Sequence, residues 1–183
     1  METACRYESP LGPMLLAAEE DGLTGAWFVG QKYFAQTLGA QSAEGETPLL
    51  KEARRWLDGY FAGETPGPIP PVRFVGTAFQ KAVWALLCAI PYGQTTTYGA
   101  LAKQLAKAWG RERLPAQAVG GAVGRNPISI FVPCHRVVGA NGSLTGYAGG
   151  IEKKAGAFAA GRGRSDRPVR ARAGHGAVTD RRL

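Results

Sequence analysis

Cysteine and histidine are both scarce in this chain of 183 residues. The three cysteines, Cys5, Cys88 and Cys134, are too few and too widely spaced for a disulfide framework. The only histidines are His135 and His175, and no Cys-x-x-Cys pair occurs, so we expect no zinc site and no other cofactor. Cys88 falls within an apolar pattern of helical spacing and is predicted to lie in the core.

Long apolar runs are missing as well. No run approaches the roughly 20 residues that a membrane-spanning helix needs. The N-terminal sequence Met-Glu-Thr-Ala-Cys carries an acid where a secretory signal would carry a base. These absences predict a soluble, cytoplasmic protein that does not associate with membranes.

Acidic residues are rare in the second half of the chain. Residues 77–155 contain nine Lys/Arg and two Asp/Glu, a net charge of +7, whereas residues 1–76 contain six and ten, a net charge of −4. Such a basic region suggests a polyanionic partner, with DNA or RNA the leading candidates. Charge alone leaves a solvated basic surface as an equal alternative.

The first 75 residues predict a small domain of strands and one helix. Apolar runs on either side of Asp21-Gly22 predict a β-hairpin, and the apolar spacing over residues 48–61 predicts a helix. Four prolines fall within residues 66–71, which favours a linker or an extended edge there. We therefore place a domain boundary near residue 75.

Residues 76–155 predict a helical second domain. Thr77 and Gln80 have the spacing of a capping box, a second helix is predicted from about Thr97, and a short helix of small residues follows Pro115. This order is typical of a helix-turn-helix. Residues 156–183 are rich in Arg, Gly and Ala, and we predict that they form a disordered tail.

A cysteine and a histidine stand side by side at the end of an apolar run. Residues 128–132 predict a buried strand, and Cys134 and His135 follow it. A thiolate is the nucleophilic form of cysteine, and a neighbouring base generates it at neutral pH. Successive strand residues point to opposite faces, so the pair can cooperate only if the chain turns or a water bridges them. The alternative is that Cys134 is a small buried hydrophobe.

Residues 77–154 resemble the C-terminal domain of the O6-alkylguanine-DNA alkyltransferases. The matching segments, in chain order, are Phe79-Gln80, Val83-Trp84, Ile90 to Thr95, Tyr98-Gly99, Leu101-Ala102, Ala118 to Gly120, Asn126-Pro127, Val132 to Val137, Gly142 with Leu144, and Gly146 to Gly150. The resemblance implies an α+β fold. In it, a small ribonuclease-H-like α/β N-terminal domain precedes a helical, winged-helix-like helix-turn-helix domain that binds DNA and carries out catalysis.

The resemblance also implies a reaction and a set of residues. A monomer would bind double-stranded DNA and transfer an alkyl group irreversibly, in a single turnover, from O6-alkylguanine, or from O4-alkylthymine, to Cys134. His135 would accept the thiol proton, Asn126 would orient the active-site turn, and Tyr147 would donate to the leaving guanine. Tyr98 would press on the rotating phosphate. Gln117 would fill the gap left by the flipped base, where many members carry arginine. The other substrate- or DNA-binding positions implied are Ala118, Gly120, Arg125, Val132, Pro133, Arg136, Ala148 and Gly149.

The chain departs from the family pattern near its C-terminus. The family's buried Glu, which holds the catalytic His, falls at Gly161, and its Leu pair falls at Ala157-Phe158. We therefore expect a less readily ionised thiol and slower transfer. Two alternatives stay open: an impaired or non-catalytic protein that only binds alkylated DNA, and a cysteine hydrolase built on the same Cys134 and His135.

Overall fold

The N-terminal region of the protein is a four-stranded sheet followed by one helix. The computed structural model describes residues 1–144, 147 and 150–161. The strands and the helix of this region are β1 (Thr3–Ser9), β2 (Gly12–Glu19), β3 (Gly22–Phe28), β4 (Ala43–Glu44) and α1 (Pro48–Phe61). The strand order is β3-β2-β1-β4, in which β4 runs parallel to β1 and the other neighbours are antiparallel. The predicted hairpin and the predicted first helix are both confirmed.

The C-terminal region is helical around a short two-stranded sheet. Its elements are α2 (Ala78–Cys88), β5 (Thr96–Thr97), α3 (Tyr98–Ala108), α4 (Ala116–Gly124), β6 (Val137–Val138) and α5 (Ile151–Ala160). The capping box that begins α2 is present, because the Thr77 hydroxyl accepts from the Gln80 N–H and the Gln80 side chain accepts from the Thr77 N–H. Strands β5 and β6 pair in parallel, which ties the start of α3 to the segment that follows Cys134.

Two expectations about local structure are wrong. Residues 128–132 are buried but form isolated bridges rather than a regular strand. The backbone of Ile130 has a φ of 72°, a conformation that a β-branched residue rarely adopts and that interrupts an extended chain. Cys88 is the last residue of α2 and is exposed, whereas Val83, Trp84 and Leu87 form the buried face of this helix.

The start predicted for the disordered tail is also wrong. Helix α5 continues through Ala160, so the segment 156–160 is helical. A Cβ atom at Gly156 would lie 2.5 Å from Cδ2 of Leu11, so glycine at this position lets α5 pack closely against the N-terminal region. The helical penalty of glycine is offset by this contact, which the sequence did not reveal. The rest of the predicted tail, residues 162–183, lies outside the described residues.

The two regions share one hydrophobic core. The backbone of Ala26 in β3 donates to Pro127 O (2.8 Å) and accepts from Ser129 N (2.9 Å). The Trp56 ring of α1 packs against the Phe131 ring, with the ring centroids 4.9 Å apart. The segment leading to Cys134 is therefore held from both sides. Within the part of the chain that the structure describes, no helix is long and apolar enough to cross a membrane.

Candidate active site

Cys134 and His135 lie in a tight turn. A 3₁₀ turn spans Cys134–Arg136, and the Cys134 N–H donates to Val132 O at 2.8 Å. The chain therefore turns at this pair, which is one of the two conditions under which Cys134 and His135 were expected to cooperate. Cys134 is 4% exposed and His135 is fully buried, so this pair sits in the shared core and not on the surface. Val132 and Pro133 are buried in the same turn.

Asn126 holds the turn from the inside. Its Nδ2 donates to Val132 O at 2.9 Å and to Cys134 Sγ at 3.1 Å, while its Oδ1 accepts from the Ile128 N–H at 3.0 Å. The side chain is 4% exposed. One buried amide therefore fixes the backbone on both sides of the strained Ile130 and places a donor on the sulfur.

The electrostatics around the sulfur act in two directions. Burial raises the pKa of the Cys134 thiol, whereas the Asn126 hydrogen bond, the charge of Lys154 and the N–H groups of Cys134 and His135 lower it. Lys154 is fully shielded, and its Nζ donates to Val137 O at 2.6 Å and to Tyr98 Oη at 3.5 Å. A thiolate formed here would be met by a fixed cation and a fixed donor.

Lys154 should make stability depend on pH in an unusual window. Burial lowers the pKa of Lys154 to about 8, opposed by the charge of Cys134. The unfolded chain then binds more protons than the folded chain between about pH 8 and 10.5, so stability rises with pH there. Lys154→Met should remove on the order of 3 kcal/mol of this rise in the free energy of unfolding, measured by urea titration at each pH.

The matched control is Lys103→Met, which removes an exposed lysine from α3. Its stability should follow the wild-type pH profile. A Lys154→Met variant with an unchanged profile would mean that the buried lysine titrates as it does in the unfolded chain.

His135 is a neutral base with one nitrogen engaged. Burial, followed by the charges of Arg136 and Lys154, lowers the pKa of His135 to about 3. Its Nε2 lies 2.8 Å from the hydroxyl oxygen of Tyr60, a residue of α1. Its Nδ1 is buried and makes no hydrogen bond with any described residue. The imidazole therefore enters the reaction uncharged, with Nδ1 available.

Tyr147 and Tyr98 flank the turn. The hydroxyl of Tyr147 is buried although the residue is partly exposed. Burial, together with the charge of Cys134, raises its pKa well above 10, so the phenol keeps its proton. Burial likewise raises the pKa of Tyr98 to about 12. Tyr98 begins α3, and its ring packs at Gly120 of α4, where a Cβ would lie 3.6 Å from Cδ1 of the ring.

One face of α4 is open to solvent. Val119, Ala122 and Val123 point inward, whereas Gln117, Ala118 and Arg125 at the helix end are exposed. The guanidinium of Arg125 lies over the Tyr33 ring, 4.5 Å from its centroid. The family resemblance implies DNA or substrate contacts for Gln117, Ala118 and Arg125, and the structure leaves all three accessible.

Arg136 does not fit the DNA or substrate contact that the resemblance implies for it, because the residue is only 8% exposed. Its Nη1 donates to Ile90 O at 3.1 Å, and the guanidinium lies over the Tyr92 ring. This cation fastens the active-site turn to the chain after α2 and is not presented to DNA. Ala148 and Gly149, assigned to the guanine pocket, lie outside the described residues.

The sequence matches two family models that together span most of the chain. Residues 6–68 match the ribonuclease-like domain of 6-O-methylguanine DNA methyltransferase, and residues 78–161 match its DNA-binding domain. The chain belongs to the 6-O-methylguanine DNA methyltransferase family. The α+β fold class and the order of the two domains are thereby confirmed.

Individual members of this family are similar over nearly their whole length. A methylated-DNA–protein-cysteine methyltransferase of Methanosarcina acetivorans is 46% identical over 148 residues, covering 81% of this chain and 90% of that protein. One from Mycobacterium leprae is 43% identical, covering 82% and 87%. The crystal structure of the Mycobacterium tuberculosis O6-methylguanine methyltransferase superposes with a TM-score of 0.76 at 37% identity, covering 91% of this chain and 96% of that one.

Two residues of the site were not assigned a role from the sequence. These residues are Lys154 and Tyr60. Tyr60 lies 75 positions before His135 and in the other domain, so no local pattern connects the two. Lys154 follows Lys153 in the same helix, and no local pattern distinguishes the buried lysine from its partly exposed neighbour.

Proposed function

We propose that this protein repairs DNA by direct reversal of alkylation. It would move an alkyl group from O6-alkylguanine in double-stranded DNA to Cys134, once per protein molecule. The observation that carries this proposal is the buried turn in which Asn126 donates to the Cys134 sulfur while His135 keeps Nδ1 open. Membership of the 6-O-methylguanine DNA methyltransferase family supports the same reaction.

The chemistry is a displacement at the alkyl carbon. His135 Nδ1 takes the thiol proton, directly or through one water, as the Sγ–C bond forms and the C–O6 bond breaks. The electron pair of the broken bond stays on the guanine, which gains a proton, and His135 gives up the one it accepted. The net products are S-alkylcysteine and guanine. The thioether has no leaving group of comparable quality, so the protein is spent after one turnover.

Negative charge is present on the attacking sulfur and develops on the departing guanine, and the site has groups that stabilise each of them. Lys154 and Asn126 stabilise the forming thiolate, and the Tyr147 phenol, which keeps its proton, donates to the departing guanine. A guanine O6 inside a duplex cannot reach the sulfur of Cys134, a residue that is only 4% exposed, so the nucleotide must rotate out of the stack. Tyr98 would press on the rotating phosphate.

The exposed face of α4 suits the DNA contact. Gln117 stands on its first turn and would fill the gap left by the base, while Ala118 and Gly120 leave little bulk between the helix and a groove. The M. tuberculosis relative called OGT has a crystal structure in complex with DNA; it superposes on this chain with a TM-score of 0.75 at 38% identity, covering 87% of this chain and 92% of that one. Residues 77–155 supply a net charge of +7 for the phosphates.

A protein that only binds alkylated DNA is not favoured. That alternative arose from Gly161, which cannot hold His135, but in the structure the Tyr60 hydroxyl contacts the imidazole instead. A cysteine hydrolase would leave the helix-turn-helix and its basic surface without a role.

One experiment separates the three functions. The protein is incubated in excess with duplex DNA that carries O6-methylguanine labelled in the methyl group. We expect the label on the protein, one methyl per chain, on the peptide that contains Cys134. Label that stays on tightly bound DNA would indicate a binding protein, and no binding with no transfer would contradict the proposal altogether.

A further inference from the structure

The hydroxyl of Tyr60 joins three parts of the fold at one buried point. The side chain comes from α1 in the N-terminal domain, and its oxygen lies 2.8 Å from His135 Nε2 in the active-site turn. The same oxygen lies 3.1 Å from Ala157 O in α5. The Tyr60 ring is held in place by stacking on Trp56, with centroids 5.3 Å apart, and by an edge contact with the imidazole. This hydroxyl thus has a fixed position.

The directions of its two hydrogen bonds follow from what each partner can do. A carbonyl oxygen only accepts, so the single hydroxyl hydrogen serves Ala157 O. The oxygen lone pairs then face His135 Nε2, which must carry a hydrogen to complete the pair. The nearby Arg136 guanidinium opposes the rise in the Tyr60 pKa. Its charge also favours the arrangement in which the Tyr60 oxygen accepts a hydrogen bond from His135.

The reverse arrangement leaves more groups without partners. If Tyr60 donated to Nε2, the imidazole proton would sit on Nδ1, which has no acceptor among the described residues. A buried N–H without a partner is rarer and costlier than an unused lone pair. The arrangement with hydrogen on Nε2 makes two bonds and leaves one lone pair open at Nδ1.

We propose that Tyr60 is a positioning residue that holds the His135 proton on Nε2 and so keeps the Nδ1 lone pair free to accept the proton of Cys134. That His135 Nδ1 accepts the proton of Cys134 rests on the proposed function. Burial raises the pKa of Tyr60 to about 12, so the hydroxyl remains a donor to Ala157 O throughout the physiological range.

Gly161 makes this arrangement possible. A Cβ atom at position 161 would overlap the Tyr60 hydroxyl and approach its ring carbon Cζ to 3.1 Å. The φ of Gly161 is −77°, which other residues adopt freely, so the need for glycine here comes from Tyr60 and not from the backbone. We expected slow transfer because position 161 has no carboxylate. In the structure, the glycine at this position instead leaves room for the Tyr60 hydroxyl, which contacts His135.

The test is the protonation state of His135 and the rate of transfer, measured on the same proteins. His175→Gln leaves His135 as the single imidazole, so ¹⁵N spectra of its ring nitrogens report its tautomer without DNA. We expect hydrogen on Nε2 in this background. Tyr60→Phe should shift the population toward hydrogen on Nδ1 and slow single-turnover methyl transfer by about 10- to 100-fold. Affinity for the duplex should stay at the wild-type value.

Tyr7→Phe is the matched control. Tyr7 also belongs to the N-terminal domain, and its hydroxyl donates to Asp58 Oδ1 at 2.8 Å. Losing that bond should lower the free energy of unfolding while leaving the tautomer and the rate unchanged. A second variant, Gly161→Ala, keeps the Tyr60 hydroxyl but displaces it, and should reproduce the tautomer shift.

The outcomes distinguish this inference from the proposed function. Hydrogen on Nδ1 in the wild-type background, or an unchanged tautomer and rate in Tyr60→Phe, would overturn the role of Tyr60. Hydrogen on Nε2 that depends on Tyr60, in a protein that transfers no methyl group, would support the positioning role and refute the reaction.

Discussion

Replacing Cys134 with alanine should abolish methyl transfer and leave the binding of DNA unchanged. Asn126 donates to the sulfur and the charge of Lys154 favours the thiolate, so alanine leaves no nucleophile for them to stabilise. The single-turnover rate should fall by at least about 10⁴-fold, as it does when other nucleophiles are removed. The measurement is rapid quenching with a duplex carrying O6-methylguanine, followed by intact mass. Filter binding of the same duplex reports the retained affinity.

Cys88→Ala provides the control for this loss. Cys88 is an exposed thiol at the end of α2, far more accessible than Cys134. Its removal should leave the rate at the wild-type value, which would show that accessibility does not decide which thiol reacts. Transfer that persists in Cys134→Ala, with the methyl group mapped to Cys88 or Cys5, would contradict the assignment.

Asn126→Asp should cost both rate and stability, although it changes only one atom. The ionised carboxylate cannot donate, so Cys134 Sγ and Val132 O each lose a donor and face a negative charge. Loss of one such donor typically slows a reaction by about 10²- to 10³-fold. The buried groups left without partners should lower the free energy of unfolding by about 2 to 4 kcal/mol.

Acid should partly restore the Asn126→Asp variant, because a protonated carboxyl regains a donor. The rate of the variant, compared with wild type from pH 5 to 8, should therefore rise as pH falls. Asn141→Asp makes the same substitution at an exposed turn, where Oδ1 accepts from the Ser143 N–H at 3.1 Å, and should change neither rate nor stability. A wild-type rate for Asn126→Asp at neutral pH would show that the donor on sulfur is dispensable.

Local signals predicted most of the elements. Thr47, Thr77 and Thr97 each precede a helix, and in the structure each hydroxyl accepts from a backbone N–H in the first turn. Capping and apolar spacing act over a few residues, so they can be read from a short stretch of sequence. The boundaries of α1 to α4 accordingly lie close to those expected.

Contacts between distant residues could not be predicted in the same way. Gly156 and Gly161 belong to a stretch whose composition is typical of a flexible tail. In the structure, each lies where another element comes too close for a side chain. Arg136 is of a residue type that often contacts DNA, yet it is buried against Ile90 O and Tyr92. In each case the partner belongs to an element remote in sequence, and only the tertiary structure identifies it.

The contact between Tyr60 and Gly161 links residues 101 positions apart, and it constrains how the sequence can vary. A larger side chain at position 161 would have to be accompanied by a smaller or displaced one at position 60. Conversely, losing the hydroxyl at position 60 leaves His135 Nε2 without a hydrogen-bond partner, which a polar side chain at position 161 could then provide. The two positions should therefore covary among descendants of this protein, so that the first domain and the last helix are inherited as a matched pair.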